Sequence, residues 1–183
     1  MNTNKKITSF DLCLISIFVA IIAAFAQVTI PVPGIPPLTM QTFAIPLTGA
    51  VLGARKGFIA SSVYLLLGAV GVPIFQGMTG GLGIIMGPTG GFLLAFPVFA
   101  LIAGRASEKN KRHLIFAGLI AGMGWLFLFG GLVWPVLIVG ATVQTAFIRF
   151  VLPFLPGDLI KITMVFIIAP ELRKALSKIR NHK

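Results

Sequence analysis

Six apolar runs, broken by basic clusters at one set of ends and by proline- and glycine-rich turns at the other, leave this chain few folds. Phe10 to Val28 is the first, about 19 residues, enough to cross a ~30 Å hydrocarbon core. Leu38 to Gly53 and Gly57 to Gly71 follow, and runs this short must thin the bilayer locally or be completed by the loops beside them. Phe92 to Gly104, Leu114 to about Trp134, and Asp158 to Ala169 make up the count. Pro135 to Val151 reads as a small-residue-rich return, a short or re-entrant helix. With 57% hydrophobic and only 10% charged residues, against roughly a quarter charged in soluble domains, the expected class is an all-α integral membrane protein. The 183 residues suit a single membrane domain, 1–183.

The net charge of +11 suggests a nucleic-acid binder until its distribution is followed. The basic residues form short clusters between apolar runs, as the positive-inside rule requires of cytoplasmic loops. Six transmembrane helices with both termini cytoplasmic put Lys5, Lys6, Arg55, Lys56, Arg105, Lys109, Lys111, Arg112 and the tail from Arg173 to Lys183 on one side. Only Arg149 and Lys161 then fall on the other, and any other span count scatters the charges. The first run lacks a small-residue cleavage pattern and is followed by further spans, so no cleavable signal is expected. Cys13 stands alone, which excludes a disulfide framework or a cysteine metal site. His113 and His182, in or beside basic loops, suggest no metal site either.

Two outer-side stretches carry the chemistry. Val72 to Gly91 holds Pro73, Gly77, Gly80, Gly81, Gly83, Gly87, Pro88, Gly90 and Gly91, too much glycine and proline for a lipid-facing helix. Non-helical backbone at that depth must be buried in protein or line a wet cavity. Here glycines let backbone N–H groups approach a ligand closely, and Thr79 adds a hydroxyl beside Gly80 and Gly81. The second stretch is Pro156-Gly157-Asp158-Leu159-Ile160-Lys161. Pro156 suits a first helical turn, the helix dipole favours an anion at Asp158, and a spacing of three sets Lys161 on the same face. Ionisable groups at bilayer depth are expensive and normally face the protein interior. Gln41, near the outer start of the second helix, adds an amide. Together these groups suit a small, partly polar molecule in a mostly apolar pocket capped by the Gly-rich loop. A plain structural ion pair between Asp158 and Lys161, and a plain tight connection through the glycines, are the competing readings.

The chain resembles the BioY family, the biotin-binding S components of energy-coupling factor (ECF) transporters. Met40-Gln41-Thr42-Phe43, Leu52-Gly53-Ala54-Arg55-Lys56-Gly57, Gly71-Val72-Pro73-Ile74-Phe75, Gly80-Gly81-Leu82-Gly83, Gly87-Pro88-Thr89-Gly90-Gly91 and the Pro156–Lys161 stretch carry the resemblance. It implies a multi-pass protein of a bacterial cytoplasmic membrane that binds biotin near the outer surface. Asp158 matches the family's ligand-contacting acid and is expected to accept from the ureido N–H groups. Lys161 matches its lysine, which donates to the ureido carbonyl or meets the tail carboxylate. The implied partners are a transmembrane T component and two ATPase subunits, which alone use ATP; the chain itself carries no P-loop and needs no cofactor. Ala20 and Ala24, small residues four apart on the first helix, fit the family's docking pattern or pack against neighbouring helices.

An S component for a different small vitamin is the alternative within this architecture. An intramembrane enzyme is the alternative outside it. Such hydrolases need a His-rich, paired-acid or Ser/Lys constellation, and only Asp158, Lys161 and Arg149 stand on the outer side.

Overall fold

The structure is a computed structural model and describes residues 7–181. Lys5, Lys6, His182 and Lys183, all assigned above to the inner side, lie outside the described residues. Nine α-helices are present among those residues: α1 (Ser9–Gln27), α2 (Gln41–Leu52), α3 (Ala54–Ala69), α4 (Leu82–Ile85), α5 (Gly90–Glu108), α6 (Arg112–Leu126), α7 (Trp134–Val139), α8 (Val143–Ala146) and α9 (Leu155–Asn181). Two π-helical stretches, Phe127–Val133 and Phe147–Val151, carry the chain from α6 into α7 and out of α8. Between α1 and α2 a two-stranded antiparallel ribbon, β1 (Thr29–Ile30) and β2 (Leu38–Thr39), pairs Thr29 with Thr39 and Ile30 with Leu38. Its turn is the proline-rich segment 31–37.

Three helices among the described residues are long and apolar enough to cross a membrane: Ser9–Gln27, Gly90–Glu108 and the continuous Arg112–Val139. Val143–Val151 with Leu155–Ile179, bent by 51° at Pro153, makes a fourth if the pair counts as one span. At 12 and 16 residues, α2 and α3 reach only about 18 and 24 Å. Every residue of α2 except Thr42 is buried, so this helix is the axis of the bundle and meets protein on all sides.

Close backbone approach explains the glycines of the inner helices. A Cβ at Gly49 would overlap the Ala100 carbonyl of α5, and one at Gly57 would lie 2.6 Å from the Gly49 Cα. Three helices thus meet at backbone contact, with van der Waals packing as the adhesive. Gly49→Ala is expected to lower stability by about 1–3 kcal/mol through overpacking. Gly124→Ala, where nothing lies within 4 Å, is expected to be neutral or stabilising by up to ~1 kcal/mol through helix propensity. Thermal unfolding in detergent compares the two.

Two expectations about element ends need correction. Gly90 and Gly91, read as loop, are the first turn of α5. Both are glycine because Cβ atoms there would meet the Ile85 carbonyl and the Trp134 side chain. The last helix, expected to leave its apolar run at Ala169, continues through Pro170 to Asn181. Hydropathy marks where a membrane would end, and the helix outlasts it with a Glu171–Lys174 ion pair of 3.0 Å one turn on.

The helix ends sort into two groups. At one, Lys56 of α3 meets Asp11 of α1 at 2.6 Å, and the Glu108 carboxylate closes α5 by accepting from the Ala54 N–H at 2.8 Å. Arg105, Lys109, Lys111 and Arg112 belong to the same end. The opposite end carries the ribbon, the Gly-rich loop and the start of α9.

Candidate functional site

A cavity of about 270 Å³ opens at that second end, just below the ~300–1,000 Å³ of drug-sized ligand sites. Its wall is mainly apolar: Phe75, Ile84, Phe92, Leu93, Phe96 and Phe154, with Pro36 and Pro37 of the ribbon turn at its edge. Phe92 and Phe154 face each other with ring centroids 6.0 Å apart. The polar groups on the wall are Thr39, Gln41, Thr42, Gln76, Thr79, Thr89 and Asp158.

Asp158 is 2% exposed. The chain turns at Pro153, and the Asp158 N–H donates to the Phe154 carbonyl at 2.9 Å to close the first turn of α9. The carboxylate therefore sits at the positive end of the helix dipole. Its Oδ1 accepts from the Thr42 hydroxyl at 2.7 Å and from Lys161 Nζ at 2.8 Å. Its Oδ2 is buried and has no hydrogen-bond partner. Desolvating a carboxylate oxygen without compensation costs several kcal/mol, so one acceptor at the cavity is held ready for a donor from elsewhere.

Lys161 stands behind that acid. Its Nζ donates to the Thr39 carbonyl at 2.7 Å, the Thr42 hydroxyl at 3.0 Å and Asp158. An ammonium has three N–H bonds, and all three are engaged. Lys161 is not among the residues that line the cavity, so the direct donation to a ligand expected from the sequence has no free N–H behind it. The ammonium instead fixes the carboxylate and ties α9 to the end of β2 and the start of α2. Thr42 closes the triangle by accepting from Lys161 while donating to Asp158.

Gln41 lies on the wall, 5% exposed. It accepts from the Thr39 hydroxyl at 3.1 Å and donates to the Tyr64 hydroxyl at 2.7 Å. Tyr64 in turn donates to the Ile74 carbonyl at 3.1 Å. The Gln41 amide carries a second N–H beyond the one donated to Tyr64. Pro46 and Pro97, inside α2 and α5, withhold an N–H from the Thr42 and Leu93 carbonyls. Two backbone acceptors, both of wall residues, thereby lack their usual helical donors.

Of the loop residues, Thr79 reaches the wall, and its hydroxyl donates to the Gln76 carbonyl at 2.9 Å. Gly80 and Gly81 do not line the cavity. A Cβ at Gly80 would press on the Val72 carbonyl, and Gly81, at φ +100°, donates its N–H to the Gly68 carbonyl at 2.7 Å. These glycines let the loop fold onto α3, and at Gly81 the N–H expected for an anion is already committed. Ala20 and Ala24 are exposed on α1, and neither lines the cavity.

Three further residues shape the site without having stood out in the sequence. Gln27, last in α1, donates through Nε2 to the Phe75 carbonyl at 3.0 Å and accepts from the Met78 N–H at 2.9 Å. Trp134 donates from its indole to the Gly87 carbonyl at 2.9 Å, so both flanks of the loop are clipped to helices. Thr42 was visible only as part of a motif; as the one incompletely buried position of α2, it is polar because it faces the acid. Gln27→Leu is expected to cost about 1–3 kcal/mol, the toll of stranding buried partners. Its direct sign is faster hydrogen exchange at the Met78 amide, with amides of α5 unchanged.

A carboxylate oxygen without a donor, an amide with one N–H to spare and a wall of aromatic rings can hold a small molecule with polar N–H groups and an apolar body. Known proteins resemble the chain as a whole. A probable biotin transporter BioY from Pyrococcus horikoshii is 38% identical over 163 residues, covering 89% of this chain and 96% of that one. The biotin transporter BioY of Thermotoga maritima is 35% identical over 161 residues, covering 86% and 92%. The fold is similar to a crystal structure of the S component for biotin from an ECF-type ABC transporter, with TM-score 0.83, 26% identity and 95% of each chain covered. Residues 1–178 match the model of the BioY family, so the bundle around Asp158 and its unanswered oxygen is that of a chain belonging to the BioY family.

Proposed function

We propose that this chain binds biotin and takes it up across a membrane as the substrate-specific S component of an ECF transporter. The single observation that carries the reading is the buried, unpartnered Asp158 Oδ2 on an aromatic cavity. A ureido ring presents two N–H donors and one carbonyl flanked by apolar ring carbons, the complement of that wall. Asp158 accepts from the ureido N–H groups, Gln41 donates its remaining amide N–H, and Thr79 supplies a hydroxyl at the mouth. Lys161 acts as a positioning residue that orients Asp158, while Gly80 and Gly81 shape the loop that closes over the ligand. The family's role is transport rather than catalysis, and neither a catalytic residue nor a cofactor is assigned.

Residues 1–183 form one membrane unit with six transmembrane helices and both termini cytoplasmic, in a bacterial cytoplasmic membrane. The basic helix ends around Lys56, Arg105 and Arg112 support this orientation, and the burial of all of α2 but Thr42 is how a 12-residue helix serves within it. A transmembrane T component and two ATPase subunits drive uptake and alone use ATP. Ala20 and Ala24, exposed on α1, give the T component a surface for close helix approach. The test is purification from the native membrane with identification of both bound ligand and co-eluting subunits. Biotin is the expected ligand; a different vitamin in the pocket would overturn the substrate, and a chain that takes up biotin without ATPase subunits would overturn the partners.

A further inference from the structure

A second cavity, about 430 Å³, lies at the opposite end of the bundle, where α5 passes into α6 and α9 runs past both. Three observations there concern charge. Ser107, 3% exposed, lines it with a hydroxyl that has no partner. Arg173 lines it with Nη1 buried and likewise without a partner. Arg112 and Lys174 stand on the same wall, against one acid, Glu171, whose carboxylate is already paired with Lys174.

The helix beside this cavity is charged against its own dipole. The N-cap of α6 is Lys111, which provides no side-chain cap, and Arg112 follows it. Cations at a helix N-terminus are unfavourable and unsatisfied N–H groups there favour an anion. A 15-residue helix opening on Lys-Arg, next to a guanidinium nitrogen and a hydroxyl with nothing to donate to, lacks only the anion.

We propose that this cavity binds a phosphate oxyanion, held by the Arg173 guanidinium, the Ser107 hydroxyl and the start of α6, and that its source is the headgroup of an anionic lipid. Basic pockets between transmembrane helices at the cytoplasmic surface suit such headgroups, and guanidinium–phosphate pairing supplies the specificity. The lipid source rests on the membrane orientation proposed above; the oxyanion chemistry does not, nor does it involve the biotin cavity, about 22 Å away along α5 from Phe92 to Ser107.

The test uses the full chain in detergent. Native mass spectrometry measures retention of added dioleoylphosphatidylglycerol against dioleoylphosphatidylcholine, and inorganic phosphate is titrated separately by calorimetry. The expected result is a preference of about tenfold for the anionic lipid, reduced by competing phosphate and lost in Arg173→Gln, the effect of removing one charge-assisted contact. Lys174→Gln, at an exposed position that cannot disturb packing, is expected to reduce it about threefold. Biotin affinity, unchanged in both variants, certifies that they are folded. Phosphate binding that requires Arg173, without preference between the lipids, keeps the site and assigns it to a soluble anion. No lipid preference and no phosphate binding in the wild-type protein, or binding that both variants retain in full, overturns the proposal.

Discussion

Asp158→Ala is expected to abolish measurable biotin binding by calorimetry, and Asp158→Asn to weaken it about 10–100-fold. A hydrogen bond to a charged group contributes about 1.5–3 kcal/mol, or a factor of ~10–100 in Kd, and the aromatic wall offers the ureido N–H groups no substitute. Asparagine keeps the shape but not the charge, so it isolates that contribution. Alanine does more damage. Both variants leave an ammonium that is 12% exposed without its counter-charge, and alanine also removes the acceptor of both Thr42 and Lys161. Breaking a buried pair from one side costs about 3–5 kcal/mol, so Asp158→Ala is also expected to unfold at lower temperature. Equal affinity for biotin in wild type and Asp158→Asn would remove the carboxylate from the site.

The pair itself was legible from sequence because ionisable residues in an apolar run are costly and stand out. What their geometry does was not. A threonine such as Thr42 carries no weight in a hydropathy pattern, yet its hydroxyl decides which oxygen of Asp158 is occupied and which is left over. Gln27 lies inside the first apolar run, and only the folded loop reveals its side-chain amide holding Phe75 and Met78. The glycines were read for what their N–H groups offer a ligand, whereas at Gly80, Gly90 and Gly91 the missing Cβ is the point. Such close approaches depend on partners remote in the chain, which spacing cannot supply. Hydropathy found α1 and α5 to within a few residues, since lipid-length apolar segments are their own signal. It could not foresee that α2 would be enclosed on all sides, because a buried short helix and a lipid-facing one share a composition.

The two ends of the bundle now pose the same physical question with opposite signs. At one, an acid keeps an oxygen unpaired after satisfying a lysine and a threonine. At the other, an arginine keeps a nitrogen unpaired beside an uncapped helix start. Each is a desolvated charge left partly unanswered, and a bound partner of complementary character lowers its cost. The apolar bundle between them, centred on α2, holds the two sites about 22 Å apart.

Lys161→Met is expected to lower stability by about 3–5 kcal/mol, because it strands the Asp158 carboxylate in an apolar wall, and to weaken biotin binding as a consequence. Methionine keeps the length of the side chain and drops the three N–H donors. The loss of affinity alone would not separate a lysine that touches biotin from one that only orients the acid. A double-variant cycle does. If Lys161 acts through Asp158, the combined Asp158→Asn, Lys161→Met protein binds biotin no more weakly than Asp158→Asn alone, since the lysine then has nothing left to orient. It is also expected to be more stable than Lys161→Met, as the orphaned charge is gone. A lysine in contact with the ureido carbonyl or the tail carboxylate would instead add its own loss, about tenfold or more for one charge-assisted bond. The three short donations of Lys161, to Thr39, Thr42 and Asp158, favour the first outcome: an ammonium with no N–H to spare grips the ligand only by holding still the group that does.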